Sequence, residues 1–360
     1  MKRYRVLVVD DSAFMRKIIS DLITENTEFE VVGTAKNGAE AVGLVKQLKP
    51  DVLTLDIEMP IMNGLDALKV IMKESPTPVV MLSTLTEEGA RETIRALELG
   101  AIDFVRKPSG SISLDLYKIQ DLLLDKLRIA VRARVKSSTS ADSDQASLHS
   151  SASLYRRQEK PEPPIRKDAH IHKVVVIGTS TGGPRALQTV LSGIPAQFPA
   201  PILVVQHMPP NFTKSLADRL NAICELDVVE AQQHMTVCPG TVYIAPGGYH
   251  MQLMRVHAAS YRIQLTKDEP VSGHRPSVDV LFESLVPFQE LERYAVIMTG
   301  MGSDGAKGML ELKRAGAKCT IAEAEETSVV YGMPRAAIEL HAVDHIMKLQ
   351  DIPAQLNKII

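Results

Sequence analysis

Short apolar runs alternate with segments of helical periodicity along most of the chain. In the first part of the sequence, the apolar runs predict strands at residues 5–9, 30–33, 51–55, 78–82 and 101–105. Apolar residues at helical spacing fill the intervals, as from Phe14 through Ile18 and Ile19 to Leu22. Because such alternation is typical of a parallel sheet covered by helices, this part predicts a five-stranded parallel α/β domain.

Polar residues stand directly after these predicted strands: Asp10, Asp11, Asp56, Ser83 and Lys107. Parallel strands bring their carboxyl ends to one edge of a sheet, so we expect these side chains to meet there. Crowded carboxylates resist ionisation unless a hard divalent cation such as Mg²⁺ lies among them. A single aspartate after a strand is usually a helix cap, but capping does not account for three acids, a hydroxyl and a Lys-Pro pair at matching strand ends.

Three segments in this region, VVDDS, LDIEMPIMNGLD and FVRKP, resemble the receiver domain of two-component response regulators. The resemblance covers residues 3–122 and implies a flavodoxin-like fold. It also implies that Asp56 accepts a phosphoryl group from a chemotaxis histidine kinase. By the same match, Asp10, Asp11, Asp56 and the carbonyl of Glu58 would bind Mg²⁺.

The same resemblance assigns the switch residues of the domain. Ser83 would hydrogen-bond the phosphoryl oxygens, and Lys107 would pair with their charge. Phe104 stands where the family usually carries a switching aromatic residue.

The composition changes after a predicted basic helix at residues 114–135. Residues 137–153 contain eight serines, and residues 159–164 add three prolines and two glutamates. Such a stretch buries too little apolar surface to fold alone, so we predict a flexible linker of about 35 residues. A helix extension and this linker together occupy residues 123–170. The basic helix is better interpreted as a solvated face than as a nucleic-acid patch.

The second half opens on residues 173–183, KVVVIGTSTGG, which predict a buried strand and a tight turn into a helix that carries Pro184 in its first turn. Ser180 lies on that turn. The segment matches neither a Walker phosphate loop nor the G-x-G-x-x-G fingerprint. It does match G-x-S-x-G, so a serine hydrolase and an ordinary glycine-rich turn remain as interpretations.

Three strands of the second half, at residues 174–177, 202–206 and 295–298, lead to Ser180, His207 and Asp304. If they are parallel in one sheet, the three side chains emerge on one edge and predict a nucleophile, a base and an orienting carboxylate. The glycines around Met301 free its backbone amide to face an oxyanion. The chain order Ser, His, Asp differs from that of α/β-hydrolases, so the elbow motif does not imply their fold.

Six further segments resemble the catalytic domain of the CheB family of chemotaxis methylesterases: IGTSTGGP, VVQHMPPNFT, YIAPGGYH, HRPSVDVLF, MTGMGSDGAKG and VYGMP. The resemblance covers residues 171–358 and implies a doubly wound parallel-sheet esterase domain. It implies that Ser180, His207 and Asp304 are catalytic and that the Met301 amide contributes to the oxyanion hole. The implied substrates are glutamyl γ-methyl esters on methyl-accepting chemoreceptors, with deamidation of glutamines at the same sites. No cofactor is expected for the esterase.

Three residues of these motifs carry weaker assignments. His250 and His274 either line the substrate groove or are structural, and residues 274–277 are expected in a loop over the active site. Tyr331 lies at a predicted turn and helix start, where contact with substrate is one interpretation.

Composition and charge narrow the remaining functions. The chain has 360 residues, a net charge of −2, 4% aromatic residues and no Trp, which argues against a nucleic-acid partner. Three widely spaced cysteines predict neither a disulfide framework nor a zinc site. No apolar run approaches a membrane span and no signal peptide is apparent, so we expect a cytoplasmic protein without membrane insertion. We also expect a monomer.

Two other functions are weighed against a receiver-controlled esterase. A response regulator that only binds a partner has no physical need for all three triad residues. A transcription factor is disfavoured because the second half lacks a basic patch and a short helix-turn-helix unit. The family resemblance also implies that the unphosphorylated receiver covers the esterase cleft, so that phosphorylation of Asp56 relieves inhibition.

Overall fold

The computed structural model describes residues 3–84, 86–107, 115–133, 170–257 and 259–360. The contacts divide the chain into two compact units, Met1–Gln158 and Glu159–Ile360. Within them we propose a receiver domain at residues 3–122 and an esterase domain at 171–358. Most of the predicted linker lies outside the described residues. Within the described ranges, every helix is too short or too polar to cross a membrane.

The first unit alternates strands with helices. Its strands are β1 (Tyr4–Val9), β2 (Phe29–Ala35), β3 (Val52–Asp56), β4 (Val79–Ser83) and β5 (Asp103–Arg106). Its helices are α1 (Ala13–Thr24), α2 (Gly38–Leu48), α3 (Gly64–Glu74), α4 (Glu87–Glu98) and α5 (Asp115–Arg132). The order β2-β1-β3-β4-β5 is parallel at every pairing. The predicted five-stranded parallel sheet is therefore confirmed.

Local sequence signals explain where the helices of this unit begin. Ser12, Asn37, Asn63 and Thr86 each stand before a helix, and each side chain accepts a backbone N–H from the first turn. The strands at the centre of the sheet are buried on both faces, as the residues of β3 and β4 show. Such continuous burial matches the uninterrupted apolar runs in the sequence.

The second unit contains a larger parallel sheet and a separate hairpin. Its strands are β6 (Lys173–Thr179), β7 (Ile202–Gln206), β8 (Asp227–Glu230), β9 (Thr241–Ile244), β10 (His250–His257), β11 (Ser260–Thr266), β12 (Glu292–Ile297), β13 (Cys319–Glu323) and β14 (His345–Met347). Its helices are α6 (Gly183–Leu191), α7 (Phe212–Ile223), α8 (Val278–Ser284), α9 (Ala306–Arg314), α10 (Met333–Glu339) and α11 (Ile352–Ile359).

The large sheet has the order β14-β13-β12-β6-β7-β9-β8 and is parallel throughout. The strand order reverses on either side of β6, so the sheet is doubly wound, as predicted. The carboxyl ends of β6, β7 and β12 are adjacent at this reversal. The antiparallel hairpin β10–β11 packs against α8 through Leu253 and Ser284, and it was not among the predicted elements.

Candidate active site

The receiver unit gathers two aspartates and a lysine at the carboxyl edge of its sheet. Asp10 and Asp56 each follow the paired residues Val9 and Leu55 of β1 and β3, so the register sets them side by side. Asp10 is fully buried and Asp56 is 2% exposed. Lys107 Nζ lies 2.8 Å from Asp10 Oδ2 and 2.7 Å from Asp56 Oδ2. The fold thus brings these three side chains together, as the sequence predicted.

Burial and charge change the ionisation of this group. Burial raises the pKa of Asp56 to about 6; the Lys107 ammonium opposes the shift and the Asp10 carboxylate adds to it. Burial by itself would lower the pKa of Lys107, but the two carboxylates outweigh it and raise that pKa above its usual value. Lys107 is therefore a permanent cation beside an aspartate that ionises less readily than usual.

The donor set suits a hard divalent cation. Asp10, Asp11 and Asp56 can each direct one carboxylate oxygen so that these atoms lie within 4.8 Å of one another. The buried Oδ2 atoms of Asp10 and Asp56 have no hydrogen bond among the described residues beyond their ion pairs with Lys107. Oxygen ligands of this kind are those that Mg²⁺ prefers, so the residues present fit the ion.

The other receiver residues lie in less direct positions. Ser83 is 1% exposed, and its hydroxyl is 2.6 Å from Thr93 Oγ1 on α4. It also bonds the backbone carbonyls of Thr84 and Gly89, and no hydrogen bond joins it to Asp56 in the described part of the chain. Phe104 is buried at 7% exposure. The side chain of Glu58 is exposed, which leaves its predicted contribution to its backbone carbonyl.

Gly64 is a tightly packed position beside Asp56 that the sequence analysis did not identify. A Cβ atom on Gly64 would lie 2.0 Å from the carbonyl oxygen of Asp56. The Gly64 N–H also donates a hydrogen bond of 2.8 Å to the Ile57 carbonyl. The loop that follows Asp56 therefore folds tightly back onto that residue, and the Asn63-Gly64 pair before a helical pattern was the available signal.

The second unit brings Ser180 and His207 together from neighbouring strands. They follow Thr179 and Gln206, which are register partners at the ends of β6 and β7. The His207 N–H donates to the Thr179 carbonyl at 3.1 Å, which extends that pairing by one step. Ser180 is 8% exposed. The described residues show no hydrogen bond between its hydroxyl and His207, and such contacts commonly tighten only when substrate binds.

His207 is paired with Asp304 through its Nε2 atom. The distance from His207 Nε2 to Asp304 Oδ2 is 2.7 Å, and the histidine side chain is 6% exposed. Because a carboxylate only accepts hydrogen bonds, the neutral ring carries its proton on Nε2. His207 Nδ1 is buried without a hydrogen-bond partner among the described residues. Its lone pair is therefore the available base.

Asp304 is held by the start of α8. Its Oδ1 accepts hydrogen bonds from Ser277 Oγ at 2.7 Å and from the Asp279 N–H at 3.1 Å. Its Oδ2 accepts from the Val278 N–H at 2.7 Å as well as from His207. Burial alone would raise the pKa of Asp304, but His207 and these donors outweigh it and lower that pKa. Asp304 is therefore an ionised, fixed partner for His207.

The loop that contains Met301 packs closely against the turn that carries Ser180. A Cβ atom on Gly300 would lie 2.8 Å from Ser180 Cβ, so only glycine fits there. The Gly300 N–H donates to the Val330 carbonyl, and the Gly332 N–H donates to the Gly300 carbonyl, each at 3.0 Å. Within the described ranges, no hydrogen bond is recorded for the Met301 N–H. That donor is unused in the described part of the chain, and its loop lies against the turn that carries Ser180.

Buried polar side chains join the strand ends to one another, and the sequence analysis did not identify them. Gln206 Nε2 donates to the carbonyls of Ser180 at 2.9 Å and His207 at 3.1 Å. Thr299 accepts the Ser180 N–H at its carbonyl, 3.0 Å, and donates from its own N–H to Glu323 Oε2, 2.8 Å. The turn that carries Ser180, the backbone of His207 and the Met301 loop therefore share one hydrogen-bond network.

The three residues with weaker sequence assignments also lie near this edge. His250 is 1% exposed and accepts the Ser277 N–H on Nδ1, which is a structural role. The His274 ring stacks on the His207 ring with centroids 3.8 Å apart and planes 10° apart. Tyr331 pairs with Gly300 in an isolated parallel bridge.

Comparisons with known proteins show the family of each unit. The CheB methylesterase family model matches residues 175–356, and the response regulator receiver domain model matches residues 6–116. Relatives named protein-glutamate methylesterase/protein-glutamine glutaminase are similar to almost the whole chain. The one from Halalkalibacterium halodurans is 49% identical and aligns with 97% of this chain and 96% of its own. The one from Geobacillus kaustophilus is 49% identical, covering 100% of this chain and 99% of its own.

A solved structure supports the second unit separately. The crystal structure of the Thermotoga maritima CheB methylesterase catalytic domain matches with a TM-score of 0.51 and 45% identity. It covers 52% of this chain and 98% of that one. The family and fold predicted from the sequence motifs are thus confirmed for both units. The chain belongs to the CheB methylesterase family and carries a response regulator receiver domain ahead of its catalytic domain.

Proposed function

We propose that this protein hydrolyses glutamyl γ-methyl esters on methyl-accepting chemoreceptors and deamidates glutamines at the same sites, under the control of its receiver. The observation that carries the proposal is the His207–Asp304 pair, which lies next to Ser180 at the strand-order reversal of the large sheet. The names of the relatives support the same substrate class. Since the implied receptor sites are cytoplasmic helices, we place the reaction in the cytoplasm.

In the first half-reaction, Ser180 Oγ attacks the γ-carbonyl carbon while His207 Nδ1 takes the hydroxyl proton. The carbonyl oxygen becomes an oxyanion, and the Met301 N–H donates a hydrogen bond to it. One such donor contributes about 3 to 4 kcal/mol in other hydrolases. Asp304 stabilises the positive charge that His207 acquires. Collapse of the intermediate breaks the ester C–O bond, and His207 returns the proton to methanol.

The second half-reaction reverses these roles with water. His207 takes a proton from water as its oxygen attacks the acyl-enzyme carbonyl, and the proton then goes to Ser180 as the acyl C–O bond breaks. The product is a free glutamate. A glutamine side chain follows the same path, with ammonia as the leaving group.

In the receiver, the Asp56 carboxylate accepts the phosphoryl group, with a histidine kinase as the proposed donor. Asp10, Asp11, Asp56 and the Glu58 carbonyl would hold Mg²⁺, which neutralises charge on the transferred group. Lys107 already contacts Asp56 and is placed to pair with the new charge.

Two further residues carry the proposed switch. To donate to a phosphoryl oxygen, Ser83 would turn its hydroxyl proton away from Thr93 Oγ1, 2.6 Å distant, which links phosphorylation to α4. Phe104 is the proposed switching aromatic residue.

The test is methanol release from receptor membranes that carry labelled methyl groups, with a small-molecule phosphodonor and Mg²⁺ present. We expect Ser180→Ala to abolish release because the nucleophile is gone. Its melting temperature should stay unchanged, since alanine is only slightly smaller. Ser192→Ala is a matched control, because Ser192 follows α6 and its hydroxyl contacts Cys224 rather than the site. Full turnover by Ser180→Ala would refute the proposal, as would a wild-type protein that binds receptors without releasing methanol.

A further inference from the structure

A side chain outside the proposed triad holds the second oxygen of its carboxylate. Ser277 Oγ donates a hydrogen bond of 2.7 Å to Asp304 Oδ1, whereas His207 uses Oδ2. Ser277 is fully buried and caps the start of α8. Its hydroxyl therefore contacts the carboxylate without competition from solvent.

Ser277 is itself fixed by a second histidine. The Ser277 N–H donates to His250 Nδ1 at 3.2 Å, and His250 Nε2 lies 3.1 Å from the Glu269 carbonyl oxygen. Because Nδ1 accepts a hydrogen bond and Nε2 faces a carbonyl acceptor, this hydrogen-bond pattern places the ring proton of His250 on Nε2. The serine is thus anchored through its backbone while its hydroxyl is directed at Asp304.

The two remaining donors to Asp304 are backbone N–H groups, one for each oxygen. They would not by themselves decide which oxygen faces His207, since the terminal torsion of aspartate is broad and roughly two-fold. The short Ser277 bond distinguishes Oδ1 from Oδ2. It also withdraws negative charge from the carboxylate, because hydrogen bonds to an ionised acceptor are the stronger kind.

We propose that Ser277 is a positioning residue of the esterase: its hydroxyl orients Asp304 toward His207 and moderates the negative charge that His207 senses. The inference rests on the proposed function. Ser277 is buried, so it acts through Asp304 and does not touch the substrate.

The test is Ser277→Ala in the full-length protein. Methanol release from the labelled receptor membranes is measured with acetyl phosphate as the phosphodonor and with Mg²⁺. We expect kcat to fall about tenfold, as for the loss of one hydrogen bond to a charged group, with KM unchanged. The acidic midpoint of the kcat/KM profile should move to higher pH, because the less moderated carboxylate favours the protonated His207 more strongly.

The pH readout separates this role from a structural one. In Ser277→Ala the two backbone donors still hold Asp304 against His207, so the midpoint should rise, whereas a wider disruption of α8 would loosen that contact and leave the midpoint in place or lower it. The other titratable or charged groups described around the pair stay unchanged in the variant; they are Asp279 and Glu283 on α8, Lys307 on α9, His250 on β10 and the stacked His274.

Two companion variants control for stability. Ser284→Ala removes another hydroxyl of α8, one that bonds the Leu281 carbonyl and the Leu253 N–H instead of Asp304, and it should keep the wild-type pH midpoint. Ser277→Gly removes the same hydroxyl, but glycine is tolerated at an N-cap, so it should reproduce the kinetic defect with less loss of stability.

Ser277 variants that are no slower than Ser284→Ala, or whose pH midpoint does not rise, would overturn the inference and leave the proposed function intact. Turnover by Ser180→Ala in the same assay would overturn the proposed function and this inference with it.

Discussion

Replacing Asp304 by asparagine tests the proposed mechanism at its most constrained atom. The change keeps Oδ1 and its bonds from Ser277 and Asp279, but it puts an NH₂ group where Oδ2 accepts from Val278 and His207. The NH₂ group can satisfy His207 only if the ring moves its proton to Nδ1. The proposed base then has no lone pair facing the nucleophile.

In Asp304→Asn the expected fall in kcat and the expected loss of folding free energy have separate structural causes. The wrong tautomer should lower kcat by about 10⁴-fold, or about 5.5 kcal/mol of transition-state stabilisation. The Val278 N–H is left facing a donor, which costs about 1 to 3 kcal/mol of folding free energy. A domain with about 5 to 15 kcal/mol of stability remains folded after that loss, so unfolding cannot produce the rate defect.

The assay measures methanol release and a urea denaturation curve on the same preparation. The double variant with His207→Ala should be scarcely slower than the worse single variant, because the residues act as a unit. An Asp304→Asn protein that keeps more than about a tenth of the wild-type kcat would refute the tautomer argument. Additive losses in the double variant would contradict the triad.

Three further results are expected in the receiver. Asp56→Asn should remove activation by a phosphodonor and leave basal methanol release unchanged, and activation that survives would move the phosphorylation site elsewhere. With metal chelated, the Asp56 carboxyl should titrate near its pKa of about 6 by ¹³C NMR, and a midpoint near 4 would contradict the burial argument. Because this folded-state pKa is raised, Asp56 favours folding at low pH, and that contribution is lost as pH rises from about 4 through about 6. Gly64→Ala should lower the unfolding free energy by about 1 to 3 kcal/mol in denaturation curves, since its Cβ meets the Asp56 carbonyl, whereas Gly43→Ala, which meets no neighbour, should not.

Residues that follow parallel strands could be predicted to converge because the sheet fixes where strand ends lie. Asp10, Asp56 and Lys107 were expected at one edge, and the register of β1 and β3 with the Lys107 ion pairs brings them there. Ser180 and His207 were placed by the same reasoning, which needs only the apolar runs and their order. The reasoning succeeds because strand direction is encoded locally.

Details that depend on contacts between distant residues could not be predicted in this way. The hydroxyl of Ser277 reaches Asp304, a residue 27 positions later, only because α8 packs against α9, which Asp304 precedes. Likewise, nothing in the sequence around Ser83 indicates that its hydroxyl bonds Thr93 on the next helix. A side-chain rotamer or a histidine tautomer is chosen by such neighbours, and they become visible only when the chain is folded.

The pairing of Asp304 with His207 Nε2 has a consequence for chemical labelling. In the chymotrypsin arrangement the carboxylate pairs with Nδ1 and the Nε2 atom faces the serine. An alkylating reagent anchored at the serine therefore modifies Nε2 there. Here that atom is occupied, and Nδ1 is the nitrogen with an unused lone pair. A halomethyl ketone built on a glutamyl side chain should therefore leave its adduct on Nδ1, and peptide mass spectrometry with an authentic alkylhistidine standard would identify the isomer.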